Sequence, residues 1–185
     1  MEKNLNFETD NSFCYNDSAE YCEKYGRLYT WAAAMDSAVL FSNNGKGCGF
    51  EVECMPTYPV RGICPSGWHL PSKEEWQTLH SAVVSIADSK PSTEGALLKS
   101  TSGWNRSGNG TDAFGFSALP AGSRNDGRYR YDGEGDCAVF WSSTQADHMH
   151  VDRVVRTMSL LYDLDIINVG YCNKNMGNSV RCLKN

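Results

Sequence analysis

Residues 68–76 read WHLPSKEEW and mark the start of the clearest helix in the chain. Ser72 and Glu75 form a capping box, and Pro71 stops a helix from running in from upstream. The apolar side chains that follow recur at helical spacing: Trp76, Leu79, Val83 and Ile86. The pattern predicts a helix from about Lys73 to Ala87, whose apolar stripe needs a sheet to cover.

The segments around this helix are less regular. Residues 26–35 (GRLYTWAAAM) fit either a buried strand or a short core helix, because periodicity does not separate the two. Residues 43–65 are rich in Gly, Pro and polar residues, which predicts an irregular surface excursion tied down by its cysteines. After Pro91 we expect a second short helix at 93–99, and the Gly-rich stretch 100–136 is typical of a long ordered loop.

The C-terminal part of the chain reads as strands, which are short, apolar or loosely alternating: Ala138–Thr144, Arg153–Leu161 and Ser179–Leu183. A helix followed by strands predicts an α+β fold. A length of 185 residues fits one domain, from 1 to 185.

Charge and hydropathy exclude two classes of partner. The net charge of -5 provides no field to attract nucleic acid or an anionic membrane. No apolar run approaches the roughly 18 residues of a spanning helix, so we expect no membrane insertion. No residue pattern indicates a cofactor.

Eight cysteines in so short a chain are typical of an oxidised, extracytoplasmic domain. We therefore expect a secreted or cell-surface protein whose signal or upstream region is not part of this sequence. Cys14 with Cys22, and Cys48 with Cys54, flank short polar stretches and suggest two local disulfides. The spacing of the cysteines does not fit the Cys-x2-4-Cys knuckles of structural zinc.

Several stretches together resemble the Fibrobacter succinogenes major paralogous domain, and in the same order. They are YGRLYTWAAAM (25–35), YPVRGICPSGWHLPSKEEWQTL (58–79), LLKSTSGWN (97–105), GNGTDAFGFSALPAGSR (108–124), VFWSST (139–144) and GNSVRCLKN (177–185). The resemblance implies a C-type-lectin-like fold, related in scaffold to formylglycine-generating-enzyme relatives. It would contain a small twisted antiparallel sheet, one main helix, a shorter second helix and long disulfide-tied loops.

The resemblance also implies that Cys64 pairs with Cys182. A disulfide that closes so long a loop is worth about 4 to 5 kcal/mol by chain entropy. Cys137 and Cys172 depart from the family pattern. We expect them to pair and pin the 162–178 loop, with two free thiols as the alternative.

A second departure concerns the start of the chain, since family members usually have a strand-forming segment before the stretch at Glu2–Leu5. Without that strand, Ser179–Leu183 would present an unpaired edge. Self-association through this edge is the sign of an architectural pilus or envelope subunit, which is one alternative function.

Residues 145–176 mix charges, imidazoles, large apolar side chains and Asn without a sustained period. We interpret this segment, with loop 104–131, as the recognition surface of a non-enzymatic domain that binds a protein or a glycan. The candidate contacts are Trp104, Arg124, Tyr129, Tyr131, His148, His150, Arg153, Arg156, Tyr162 and Tyr171. In some bacterial members of this broad fold the same region is rewritten at Asn codons by diversity-generating retroelements. A diversified surface at Asn168, Asn173, Asn175 and Asn178 is therefore an alternative to a fixed one.

Three sharper hypotheses have simpler competitors. His148 and His150 fit a transition-metal site, but solvated loop histidines explain them better. Asp112 fits a tight-turn acceptor better than a calcium ligand, and the Glu-Pro-Asn and Trp-Asn-Asp triplets of calcium-dependent sugar binding do not occur. An oxidoreductase similar to formylglycine-generating enzymes is the alternative from the enzyme class, although no active-site motif surrounds Cys137 or Cys172.

Overall fold

A computed structural model describes residues 1–86, 93–125, 131–147 and 150–185. Three α-helices occur within these ranges, α1 (Ala19–Tyr25), α2 (Trp31–Ala34) and α3 (Lys73–Ile86). The strands within them are β1 (Ser12–Phe13), β2 (Leu28–Tyr29), β3 (Trp68–His69), β4 (Ala121–Arg124), β5 (Tyr131–Glu134), β6 (Cys137–Gln145), β7 (Val154–Leu161), β8 (Leu164–Asn173), β9 (Asn178–Ser179) and β10 (Leu183–Lys184). The fold is α+β, as predicted.

The main sheet has eight strands and β6 lies at its centre. On one side β6 pairs antiparallel with β7, which pairs antiparallel with β8. On the other side β6 pairs parallel with β4 and with β9 at successive points along its length. The expected small antiparallel sheet is therefore wrong in two respects, since the sheet is larger and mixed. Strands β3 and β10 form a separate antiparallel pair.

Helix α3 begins where the capping box predicts. The Ser72 backbone N–H donates to Glu75 Oε2 over 2.8 Å, and the Glu75 N–H donates to Ser72 Oγ over 3.2 Å. The buried side chains of α3, Trp76 and Val83, pack in one cluster with residues of β6, β7 and β8. The helix is confirmed to Ile86, and Ala87 lies outside the described residues.

Three buried indole groups bond carbonyl oxygens at β6 and β2. Trp31 Nε1 donates to Ser142 O over 2.9 Å, and Trp76 Nε1 donates to Trp141 O over 3.3 Å. Trp141 Nε1 donates to Tyr29 O over 2.6 Å. These bonds attach α2 and α3 to β6, and they satisfy polar groups that would be costly to bury unpaired.

The three disulfides that the sequence and the resemblance indicated are present: Cys14–Cys22, Cys48–Cys54 and Cys64–Cys182. The first two close loops of 8 and 6 residues, whereas the third spans 118 residues. Cys64 lies just before β3 and Cys182 just before β10, so the third disulfide reinforces the pairing of those two strands.

The structure decides two of the local predictions. Residues 26–35 contain both alternatives, β2 and then α2. The short helix predicted at 93–99 is wrong, because the segment forms turns in which Gly95 O accepts from both Leu98 and Lys99 over 3.1 Å. Lys99 is buried here and donates to Leu164 O over 2.8 Å, which ties the turns to the start of β8.

The closing strand is interrupted and its edge is covered. Ser179 pairs with Leu28 of β2 on one side and with Phe140 of β6 on the other. Val180 O accepts from Leu5 N over 2.9 Å. The unpaired edge expected at Ser179–Leu183 is therefore wrong, because the N-terminal segment and β2 occupy it.

Residues 43–65 contain no helix or strand, as expected, but the predicted surface position is wrong, because Cys48, Val60, Ile63 and Cys64 are buried in the core. Strands β4, β5 and β8 lie in segments that the sequence indicated as loop. Within the part of the chain that the structure describes, no helix is long and apolar enough to cross a membrane.

Replacing Cys64 and Cys182 together by Ala lowers the free energy of unfolding by about 4 to 5 kcal/mol, because the long disulfide removes the most entropy from the unfolded chain. Replacing Cys14 and Cys22 in the same way lowers it by about 2 to 3 kcal/mol, since that loop is short. Denaturation in urea without reductant measures both. Equal losses from the two pairs would contradict this assignment.

Candidate functional site

Lys174 joins the disulfide loop of Cys48–Cys54 to the end of the sheet. Its side chain is buried, and Nζ donates to Val52 O over 2.7 Å and to Gln145 Oε1 over 2.9 Å. Gln145 also bonds the backbone of Cys54, accepting from its N–H over 3.2 Å and donating to its carbonyl over 2.6 Å. A loop without regular structure is thus held in one position against β6.

The surroundings of Lys174 lower its pKa. Nζ lies 4.6 Å from the centre of the Trp31 ring. Its other partners are a carbonyl and an amide oxygen rather than a carboxylate. Because desolvation opposes the charged form, the pKa of Lys174 falls to about 8.

The adjoining hairpin carries a stacked arginine and tyrosine. Arg156 of β7 is paired with Tyr171 of β8, and its guanidinium carbon lies 3.9 Å from the centre of the Tyr171 ring. Asp147 accepts from Arg156 and, over 3.2 Å, from Lys73 at the start of α3. These two cations, Arg156 first, hold the pKa of Asp147 below its usual value. Tyr171 is 55% exposed, so the part of its side chain that Arg156 does not cover remains available to a ligand.

A second arginine connects the hairpin to the disulfide loop. Arg153 pairs with Glu51 over 2.9 Å and lies 5.6 Å from the centre of the Phe50 ring. His150 begins the turn that leads into β7, and its carbonyl accepts from the backbone N–H groups of Arg153 and Val154. His150 is exposed, as expected for a solvated loop histidine.

The segment that contains and follows the Cys48–Cys54 disulfide carries exposed apolar side chains. Met55, one residue beyond the disulfide, is 93% exposed, and Val52 and Tyr58 are also exposed. The Tyr58 hydroxyl donates to Ser143 O over 3.3 Å, which holds that ring at the end of β6. We use the name end surface for six side chains at this end of the β7–β8 hairpin and on the adjoining disulfide segment: Val52, Met55, Tyr58, Arg153, Arg156 and Tyr171. The least exposed is Arg156, with 14% of its side chain accessible.

The predicted contact residues do not form a single surface. Trp104 is only 5% exposed, and its indole donates to Ser100 Oγ and Ala118 O in the core. Arg124 is buried with its guanidinium 3.9 Å from the centre of the Phe13 ring. Tyr131 donates to Asp17 over 2.5 Å, near the 3-10 turn that precedes α1.

Tyr162 occupies the opposite end of the β7–β8 hairpin from Tyr171, where it accepts from Arg106 over 3.1 Å. Tyr129 and His148 lie outside the described residues. Of the predicted set, His150, Arg153, Arg156 and Tyr171 lie at the same end of the β7–β8 hairpin, and Arg156 and Tyr171 are in contact. The exposed residues of the disulfide loop were missed, although the short Cys48–Cys54 spacing already predicted a fixed loop there.

The expected pairing of Cys137 with Cys172 is wrong, and both are free thiols. Cys137 lies opposite Leu161, and Cys172 lies opposite Val155 on the same strand, β7. Those two positions are six residues apart along β7, and a disulfide needs Cα atoms within about 7 Å. Burial raises the pKa of the Cys137 thiol to about 11 and also raises the pKa of Cys172.

The metal hypothesis for His148 and His150 falls partly outside the described residues, because His148 is not among them. Among the described residues, no group of three or more His, Cys, Asp or Glu side chains could hold a metal ion. Asp112 Oδ1 accepts from the Ser117 N–H over 2.6 Å, and Oδ2 accepts from its hydroxyl. These bonds confirm the turn role of Asp112.

The disulfide-tied loops and the mixed sheet define an α+β domain with a fixed end surface. The chain belongs to a family whose model is described as the Fibrobacter succinogenes major domain, and the match covers residues 1–184. Comparisons with curated proteins and with solved structures found no match.

The burial of Lys174 predicts a specific pH dependence. Between about pH 8 and pH 10.5 the unfolded chain binds more protons at this lysine than the folded one, so its contribution to stability rises with pH. We expect the unfolding free energy of the wild type minus that of Lys174→Met to increase by no more than about 3 kcal/mol over this interval. Urea denaturation at several pH values measures the difference. A difference that falls as pH rises would contradict the burial of a charged lysine.

The disulfide assignment predicts a thiol count. In denaturant without reductant, a maleimide reagent labels two of the eight cysteines, and after full reduction it labels all eight. Mass spectrometry of the labelled peptides identifies the two as Cys137 and Cys172. If no cysteine is labelled before reduction, Cys137 and Cys172 form a fourth disulfide, and their assignment as free thiols is wrong.

Proposed function

We propose that this chain is a non-enzymatic ligand-recognition domain, of C-type-lectin-like fold, in a secreted or surface bacterial protein. It binds a protein or a glycan through the end surface. The observation that carries the proposal is the exposure of Met55 and Tyr171 on backbone that a disulfide and a buried lysine hold in place. The three disulfides are compatible with an oxidising compartment.

The composition of the end surface supports recognition. Tyr, Met and Arg are enriched in the cores of protein interfaces, and Tyr and Arg are frequent among the residues that dominate binding energy. A rigid surface also loses little conformational entropy when it binds. Arg156 is already oriented by Asp147 and by the Tyr171 ring, so this cost is small for both side chains.

The proposed surface includes the disulfide loop in place of loop 104–131. Arg124 and Tyr131 lie on β4 and β5, which are on the other side of β6 from the hairpin. Trp104 is part of the core. A ligand that covered the end surface would therefore not reach these three residues without spanning the sheet.

The placement of the asparagines favours a fixed surface over a diversified one. Asn173 Oδ1 accepts from the Asn175 N–H over 2.8 Å and so shapes the turn after β8. Asn178 is fully buried. Asn168 is exposed, but its amide donates to Ser159 Oγ over 3.3 Å on the neighbouring strand. Free replacement at Asn173 or Asn178 would disturb packing before it changed specificity.

Two further alternatives have weaker support. An oxidoreductase of the formylglycine-generating kind needs closely placed reactive cysteines, whereas Cys137 and Cys172 are separated by the length of β7 and have raised pKa values. An architectural subunit was expected to assemble through Ser179–Leu183, where Ser179 is paired on both sides. The recognition proposal needs neither feature.

The end surface is tested by screening the chain against arrays of glycans and bacterial surface proteins and then measuring the affinity of the strongest hit. We expect Tyr171→Ala and Arg156→Ala each to weaken binding about 10- to 100-fold, the range of a dominant interface residue. Light scattering of the same samples reports on assembly.

The matched controls are Tyr162→Ala and Arg106→Ala, which remove a similar pair at the other end of the hairpin. We expect each to change the affinity less than about threefold, as for residues outside an interface. If instead Tyr162→Ala and Arg106→Ala weaken binding and the other two variants do not, the ligand binds at the turn of the β7–β8 hairpin. The absence of any hit at millimolar affinity or better would overturn the recognition function itself.

A further inference from the structure

Strand β8 lies at an edge of the main sheet. It is the longest strand that the structure describes, with 10 residues from Leu164 to Asn173, and among the described strands it pairs only with β7. The other two strands that end the sheet, β1 and β5, are much shorter. A long edge strand offers a row of backbone donors and acceptors to another strand.

The hydrogen-bond pattern shows which backbone groups of β8 face away from β7. The Lys174 N–H donates to Arg153 O over 2.8 Å, and the pairing of β8 with β7 is regular from Asn173 back to Asn168. Because hydrogen-bonded and non-hydrogen-bonded pairs alternate along an antiparallel ladder, the N–H and C=O groups of Val169 and Tyr171 point outward. Within the described ranges of the chain, no hydrogen bond reaches these groups.

The edge lacks the usual protection against pairing. Residues 166–173 (IINVGYCN) contain no charged side chain and no proline, which are devices that natural edge strands use to prevent pairing. Ile166 and Tyr171 are exposed by 36% and 55%. Another part of the chain reaches the start of the strand, where Asp165 O accepts from Gly95 N over 2.7 Å. Beyond that point the segment has the composition of a strand that another strand covers.

Gly170 lies between the two outward-facing residues, and the single chain does not require a glycine there. The register around it is regular, without a bulge. A Cβ at this position would meet only the side chain of Asn168, with its amide nitrogen at 3.2 Å, and a small rotation of that amide would relieve the contact. A glycine inside a strand often marks a place where another backbone approaches closely.

We propose that β8 pairs antiparallel with β8 of a second copy of this chain, with the two-fold axis at Gly170. In this register Val169 of each copy lies opposite Tyr171 of the other. The outward N–H and C=O groups of both residues then bond each other across the axis. Gly170 faces its own counterpart in a non-hydrogen-bonded pair, where the two Cα atoms approach to about 4.5 Å.

A second copy is the occupant that these features specify. A two-fold contact uses the same groups on both partners, so the outward residues on the two sides of Gly170 satisfy each other and the assembly closes as a dimer. No like charges face each other across the contact, because residues 166–173 are uncharged. The dimer would join the two main sheets into one continuous sheet.

Sedimentation velocity of the full chain over a range of concentrations tests the proposal. We expect a reversible dimer of twice the 20.5 kDa chain mass. Its dissociation constant should be about 10 to 100 µM, because the contact is small. Val169→Pro removes the outward N–H from each copy without removing a bond to β7, and should weaken the dimer at least about tenfold. The matched control is Val169→Ala, which shortens the same side chain but keeps the N–H, and should leave the affinity within about threefold.

Amide hydrogen exchange, followed by NMR on the unmodified chain, locates the contact even where the proline variant does not fold. The N–H groups of Val169 and Tyr171 should exchange at least about tenfold more slowly where the dimer prevails than where the monomer does. The Gly170 N–H points toward β7 and should be protected at both concentrations.

Three outcomes would overturn the proposal: a strict monomer at millimolar concentration, a dimer in which the Val169 and Tyr171 amides stay unprotected, or protection of these amides in the monomer. The last result would show that another segment of the same chain covers the edge. All of these measurements use the chain without a ligand, so a negative result leaves recognition by the end surface untouched.

Discussion

The central strand β6 is held on its two faces by tryptophan side chains, and the remaining structure depends on that constraint. The indoles of Trp31 and Trp76 donate to adjacent carbonyls of the strand, and its own Trp141 donates to β2. Each bond both satisfies a buried polar group and fixes the distance between two elements. Because much of the chain is irregular, these few directional bonds determine where α2 and α3 pack.

The end surface is one consequence of this arrangement. The backbone N–H of Lys73, the first residue of α3, donates to Thr144 Oγ1 over 2.9 Å, which aligns the helix with the end of β6. Gln145 follows in the same strand and holds the disulfide loop together with Lys174. Helix, hairpin and loop are thus brought together by the last two residues of β6. The exposed side chains occupy fixed positions because the backbone beneath them is bonded on several sides.

Sequence patterns predicted the parts of the fold whose signals are local. The capping box at Ser72 identified α3, and apolar runs identified β6 and β7. Strand β8 was missed because Asp165 and Gly170 break its alternation, and its pairing comes from β7 rather than from its own composition. The lectin-like expectation of a small antiparallel sheet also missed the parallel pairs, which join Gly122 to Ala138 and Phe140 to Ser179.

The candidate site was predictable only in part, for the same reason. Tyr171 and Arg156 stand out as exposed-type side chains in a segment of mixed character, and cross-strand pairing makes them neighbours. The contribution of the disulfide loop depends on Lys174 reaching the carbonyl of Val52, 122 residues away. A carbonyl has no sequence signature, so nothing in the residue types announces this contact. The position of the disulfide loop can therefore be inferred only once Lys174 is known to be buried. An exposed Lys174 would leave the loop free to move away from the hairpin.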